Sequence, residues 1–189
     1  MNKLTELIRA ITALFFRPNK VELDRQSEAA VIGMSDDGLS ILKYFESCRL
    51  EAYWDADGKV WTIGWGDTGP DVVKDLRITQ AEADARLQRR LANEFVPGVL
   101  SGLTRSATKG QFDAMVDLAY NVGVAAFQGS TLLRKFNAGD IDGAEAEFKR
   151  WNKSGGKVLL GLIRRRAADA ARFVGRSGAE SIRIGAAIK

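Results

Sequence analysis

Apolar residues recur at helical spacing along most of this chain and alternate at strand spacing in one short stretch. Leu4, Leu7, Ile8, Ile11, Leu14 and Phe15 fall at intervals of three and four and form one stripe, which Pro18 closes. Glu6 and Arg9 interrupt the stripe, no small-residue cleavage site follows, and a span needs about 20 apolar residues, so neither a secretory signal nor a membrane-crossing helix is expected. Docking on the domain or on a partner is expected, with membrane or virion attachment as the alternatives. A polar connector then runs to residue 34.

Ser35, followed by Asp36 and Asp37, predicts a helix start whose buried face is Leu39, Ile41, Leu42 and Phe45. Residues 50–66 differ in kind. Tyr53, Trp54, Val60, Trp61, Thr62, Ile63 and Trp65 are strand formers around the turn Asp55-Ala56-Asp57-Gly58, and they predict a hairpin. Helices dominate afterwards. Thr79 and Glu82 form a capping box before a helix reaching Pro97, and Phe112, Met115, Val116 and Ala119 mark a helix over 105–120. Ser130 and Asp140 cap shorter helices, the second carrying Ala144, Phe148 and Trp151, and Gly155-Gly156 precedes a long helix over 157–174. The expected class is α+β and mostly helical, with a small hairpin region and a larger helical lobe flanking a cleft. The expected boundaries are 1–34 for the amphipathic segment and connector, 35–175 for the domain and 176–189 for a loose tail.

Composition then removes whole chemistries. The 189 residues contain no histidine and one cysteine, Cys48. Ser/His/Asp and Cys/His nucleophiles, imidazole bases and His-ligated zinc are excluded, and no internal disulfide can form. An enzyme built from this sequence works with carboxylates, hydroxyls, Lys, Tyr or backbone groups. The net charge of +4 is uneven: from residue 149 onward eleven Lys/Arg face only Asp169 and Glu180. That asymmetry suggests a polyanionic partner, which charge alone does not choose.

Glu46 closes the first domain helix, Asp55 lies at the hairpin turn and Thr62 on the returning strand. Two carboxylates in unlike settings, one donating a proton and one serving the water, are what glycoside hydrolysis requires, and a hydroxyl can hold that water. Taken alone, such an acid pair is as readily a surface or capping feature. Asn121 and Gly123 can equally end a helix, and Trp54, Trp61 and Trp65 can stack on sugar rings or pack in the core.

The run Phe45-Glu46-Ser47-Cys48-Arg49-Leu50-Glu51-Ala52-Tyr53-Trp54-Asp55, with Trp61-Thr62-Ile63-Gly64-Trp65-Gly66, resembles the E-G-x-R-L-x-A-Y-x-D and T-I-G-Y-G-H signature of phage endolysins of the T-even lysozyme type, glycoside hydrolase family 24. The likeness continues through Ala119 to Gly123, Ser130 to Arg134, Asn137 to Asp140, Phe148 to Asn152 and Gly161 to Arg166, in one colinear order from about residue 35 to 175. The resemblance implies a lysozyme-like fold and a muramidase cutting the β-1,4 bond from N-acetylmuramic acid to N-acetylglucosamine in peptidoglycan, with inversion. It implies Glu46 as general acid, Asp55 and Thr62 positioning the water, and no metal or organic cofactor. Asn121 and Gly123 match its sugar-facing segment, and Arg165 matches an arginine facing the catalytic Glu. Arg164 and Arg166 are expected on a solvated basic face. Glycan strands are the expected partner of a monomer, with no specific nucleic acid and with anionic membrane contact open to the basic C-terminal region. Storage in the host cytoplasm and action on periplasmic wall are expected. A non-catalytic or virion-associated wall-binding module is the alternative.

Three positions depart from the family pattern. The interval from Asp55 to Thr62 is one residue longer, which leaves Asp57 as an alternative base. The Gly that usually follows the catalytic Glu is Ser47, and the usual His after the second strand is Asp67.

Overall fold

The computed structural model describes residues 33–56 and 58–189. The N-terminal stripe and Asp57 lie outside the described residues. Helix α1, Asp36–Glu46, starts where Ser35 Oγ accepts the Gly38 N–H at 3.2 Å, and it buries Ile41 and Leu42. It ends at Ser47, whose φ of 55° lies in the left-handed region that disfavours a side chain. Glycine, which the resembled pattern has at this position, adopts that backbone without strain.

From Ser47 the chain turns into β1, Arg49–Asp55, which pairs antiparallel with β2, Val60–Gly64. Tyr53 faces Thr62 and Asp55 faces Val60, with an irregularity between Arg49 and Tyr53. A third extended segment covers the outer edge of β1, since Ala52 N donates to Leu76 O and Ile78 N to Leu50 O, each at 2.9 Å. That pairing satisfies an edge that would otherwise be open.

Helix α2, Gln80–Arg90, begins with the complete Thr79/Glu82 capping box. It does not stop at Pro97. A π turn, Leu91–Phe95, carries it into α3, Val96–Gly102, where proline sits in the first turn and its missing N–H is no loss. The helix expected over 105–120 is α4, Lys109–Val122, started by a second box from Thr108 and Gln111. Phe112, Ala114, Met115, Val116, Leu118 and Ala119 are all buried, so α4 is the central element, packed by its neighbours on several sides. Helices α5, Val124–Gln128, α6, Thr131–Asn137, and α7, Ile141–Glu147, follow, the last two capped by Ser130 and Asp140 as expected.

Three expectations are corrected here. A short hairpin of β3, Lys153–Ser154, and β4, Lys157–Val158, precedes the last long helix, so α8 spans Leu160–Phe173. Trp151, most simply read from the sequence as a core residue, is half-buried. The expected loose tail is helix α9, Gly178–Ala186, packed on α8 and α1. Its buried face is Gly178, Ser181 and Gly185, small residues that let backbones approach, so no hydrophobic stripe announces it. Gly178 N donates to Asp37 Oδ1 at 2.8 Å, and Arg172 Nη1 pairs with Asp37 Oδ2 at 3.1 Å, which ties both ends of this unit together.

Candidate active site

Glu46 is the last residue of α1 and keeps 18% of its side chain exposed, so one face of its carboxyl is open to solvent while the other meets protein. Its Oε1 lies 2.5 Å from Arg165 Nη1 of α8. The same arginine grips Asp117 of α4 with two prongs, Nε to Oδ2 at 2.8 Å and Nη2 to Oδ1 at 3.0 Å. Such bidentate contacts fix a planar guanidinium in one orientation. Arg165 is itself buried, so the arginine expected to face Glu46 does face it, and any effect it has on a substrate passes through Glu46.

Gly66 approaches the carboxyl from the hairpin side. It has a φ of 90°, and a side-chain carbon there would stand 3.4 Å from Glu46 Oε2. Its carbonyl accepts from Arg90 Nη1 at 2.7 Å, while Tyr120 Oη donates to the neighbouring Trp65 carbonyl at 2.6 Å. Burial, the first cause, pushes the Tyr120 phenol well above its ordinary range, so it is a fixed donor and not a proton source near neutral pH.

Thr62 is buried on β2, and its Oγ1 has no hydrogen-bond partner among the described residues. Asp55 is half-buried at the end of β1, with its carboxyl drawn over the turn towards Gly58, where a Cβ would meet Oδ2 at 3.0 Å. The turn of four residues, 56–59, is closed by Lys59 in the left-handed region at a φ of 52°. The alternative base, Asp57, lies outside the described residues.

Asn121 is brought to the same region through its amide oxygen, which accepts from Arg166 Nη1 at 3.2 Å. That bond fixes which way the amide points and leaves its NH2 group as the outward donor. Gly123 ends α4 at a φ of 89° and starts α5, with open space where a side chain would be. Trp54 is half-exposed and meets Trp61 edge to face at 5.6 Å, whereas Trp65 is half-buried and donates to Asp84 Oδ1 at 2.7 Å.

Arg166 overturns the expectation of a solvated face: it is 1% exposed, the largest fully buried side chain described. Its Nε lies 2.8 Å from Asp169 Oδ2 and its Nη2 3.6 Å from Asp117 Oδ2. Arg164 is half-buried and donates to Ile188 O at 2.9 Å. Burial pushes Asp169 well above the carboxylate range, reinforced by the neighbouring Asp117 charge. Burial acts on Asp117 in the same sense, but the Arg165 charge and hydrogen bonds outweigh it and hold the group below that range. The two buried acids are thus shifted in opposite senses.

Sequence reasoning missed Asp117, Asp169 and Asp113. The signal was there: Asp113 and Asp117 lie one turn apart on a helix otherwise apolar, and Arg165 and Arg172 lie two turns apart on another. Asp113 takes Arg172 Nη2 at 2.8 Å and also bonds Ser35, whose backbone N donates at 2.9 Å. Three of the eleven C-terminal cations are thus internal, and the basic surface is smaller than composition implies.

A carboxylic acid held at a helix end by a buried arginine, beside a small hairpin and on a helical body, is the arrangement of the lysozyme class. A family model described as phage lysozyme matches residues 43–169, and the chain belongs to that family. It is 46% identical over 141 residues to an endolysin of Bacillus phage PZA, covering 74% of this chain but only 54% of that protein, so it spans about half the length of that relative. An endolysin of Acyrthosiphon pisum secondary endosymbiont phage 1 is 41% identical over 74% of this chain and 97% of its own length. The muramidase domain of SpmX from Asticaccaulis excentricus superposes with a TM-score of 0.70 at 33% identity, covering 76% of this chain and 98% of that one.

Proposed function

We propose that this protein is an endolysin of the T-even lysozyme type, glycoside hydrolase family 24, that hydrolyses the β-1,4 bond from N-acetylmuramic acid to N-acetylglucosamine in peptidoglycan. The observation that carries the reading is the half-open Glu46 carboxyl, held on Oε1 by Arg165 at 2.5 Å and approached on Oε2 by Gly66. In this reading Glu46 protonates the leaving glycosidic oxygen. Asp55 accepts a proton from the attacking water, and the Thr62 hydroxyl, buried without a partner among the described residues, orients that water. Water attacks the anomeric carbon on the face opposite the leaving group, so the product is inverted. The Asn121 NH2 donates to a carbonyl of the sugar's N-acetyl group, Gly123 leaves room beside it, and Arg165 serves substrate binding through Glu46. The enzyme acts as a monomer on glycan strands of the wall, after storage in the host cytoplasm.

Clearing of outer-membrane-stripped Gram-negative cells, or of purified sacculi, by wild type and by Glu46→Gln tests the assignment. Wild type clears and the variant does not; equal clearing by both sinks Glu46 as the acid. Sacculus binding without cleavage by wild type would support the wall-binding module instead. Product stereochemistry read by NMR during the first turnover checks inversion.

A further inference from the structure

The mechanism above uses Glu46 and Asn121 but not what stands behind them. Arg165 and Arg166 are adjacent on α8 and diverge: the first reaches Glu46 at 2.5 Å, the second reaches the Asn121 amide oxygen at 3.2 Å. Asp117 of α4 touches both, with two bonds of 2.8 and 3.0 Å to Arg165 and one contact of 3.6 Å to Arg166. Its side chain is 1% exposed, so it has no role as a surface charge. A neutral residue at this point would leave two buried guanidiniums short of a counter-ion and free to swing towards the remaining acids.

We propose that Asp117 is a positioning residue of this site: through Arg165 it holds the Glu46 carboxyl, and through Arg166 it holds the Asn121 amide, so one buried ion sets proton donor and sugar-facing donor in register. The proposal rests on Glu46 being the acid. It also gives the cluster an electrostatic function. Arg165 pairs with Glu46 and Asp117, and Asp169 and Arg166 lie within its electrostatic surroundings. Tyr120 of α4 and Arg90 of α2 complete the charged or titratable surroundings on the hairpin side, together with Asp67. Asp117 takes up much of the Arg165 charge, so Glu46 meets a guanidinium already largely neutralised. Asp169 belongs to the same cluster, its Oδ2 2.8 Å from Arg166 Nε.

The test is the pH profile of sacculus hydrolysis, with kcat and KM separated, for Asp117→Asn and Asp117→Glu. Removing the charge leaves Arg165 to act on Glu46 alone, which favours the ionised acid. The alkaline limb then moves to lower pH, and kcat falls on the order of tenfold to a hundredfold, as a displaced reacting group brings. Asp117→Glu keeps the charge and displaces it by one methylene, so kcat falls while the limb stays in place. Loss of the Asn121 orientation adds a rise in KM in both. Wild-type kcat and limb in a folded Asp117→Asn overturn the proposal. Should that variant fail to fold, wild-type kcat in Asp117→Glu overturns it equally. Glu46→Gln separates the two readings: if it stays active, the acid assignment fails and the proposal with it. If it is dead while the Asp117 variants behave as wild type, only the positioning role falls.

Discussion

Asp67 Oδ2 accepts a hydrogen bond from Arg86 Nη1 at 2.8 Å, and both side chains are nearly buried, at 12% and 14% exposed. Asp67 also exchanges two backbone bonds with Ile63, at 2.8 and 2.9 Å, and so closes the loop that presents Gly66 to Glu46. Where the family pattern carries histidine, this chain has an ion pair bracing the loop against α2.

Restoring the histidine is therefore expected to harm. Asp67→His strips Arg86 of its more buried partner, leaving Asp71 on its other prong, and costs about 2 kcal/mol, since a charged hydrogen bond is lost. For a chain of this size that lowers Tm by about 4 to 8 °C. Sacculus clearing at a temperature where both proteins are folded does not rise. A faster Asp67→His with an unchanged melting curve would show that the aspartate is a functional loss and not a brace.

Stability should respond to pH through two acids of opposite sign. Asp117 is held below its unfolded value of about 3.9, so its contribution is complete above that pH and is lost as pH falls through the lower folded value. Asp169 is held above it, so the folded state keeps a proton the unfolded chain gives up, and stability falls as pH rises above about 3.9. Asp169→Asn removes that second dependence, because the amide mimics the protonated acid. Denaturant midpoints for variant and wild type should diverge in the variant's favour between pH 4 and pH 8, by an amount set by the folded value. Parallel midpoints across that range would place the proton elsewhere.

Gly66→Ala probes how closely the hairpin approaches the acid. The positive φ costs an alanine about 1 to 2 kcal/mol, and its methyl group would sit 3.4 Å from Glu46 Oε2. Sacculus clearing should drop by more than the loss of folded protein explains, when rates are normalised to the native fraction by circular dichroism. Proportional losses would mean that the contact has no bearing on catalysis.

The turn offers two candidate bases, and substitution decides between them. Asp55→Asn is expected to abolish clearing while Asp57→Asn retains most of it, because Asp55 keeps its place on β1, opposite Val60, two residues beyond the Tyr53 that faces Thr62. Inactivation by Asp57→Asn alone would shift the alignment across the longer turn by one step and transfer the base to that residue.

Most of the fold could be read from local signals. The capping box at Thr79 and the caps at Ser35, Ser130 and Asp140 start helices where the sequence predicts, and β1 and β2 form the expected hairpin. What escaped were features whose partners are distant or whose buried faces are not apolar. Asp117 meets Arg165 across 48 residues and Asp113 meets Arg172 across 59, so neither pairing leaves a mark in any short window. Helix α9 was missed for the second reason, although Ser177 and Glu180 spell a capping box that could have been read. The three catalytic candidates stood out because the hairpin compresses them into one local stretch.

The bond from Gly178 to Asp37 spans 141 residues, and Arg172 reaches the same carboxylate. During synthesis α1 therefore waits for partners made 141 residues later: until those residues have left the ribosome, the helix that carries Glu46 lacks its docking surface on α8 and α9. A chain that stops before α8 and α9 has the acid but not the frame that aims it. For a protein proposed to destroy the wall of the cell that makes it, activity is thereby tied to synthesis through α8 and α9.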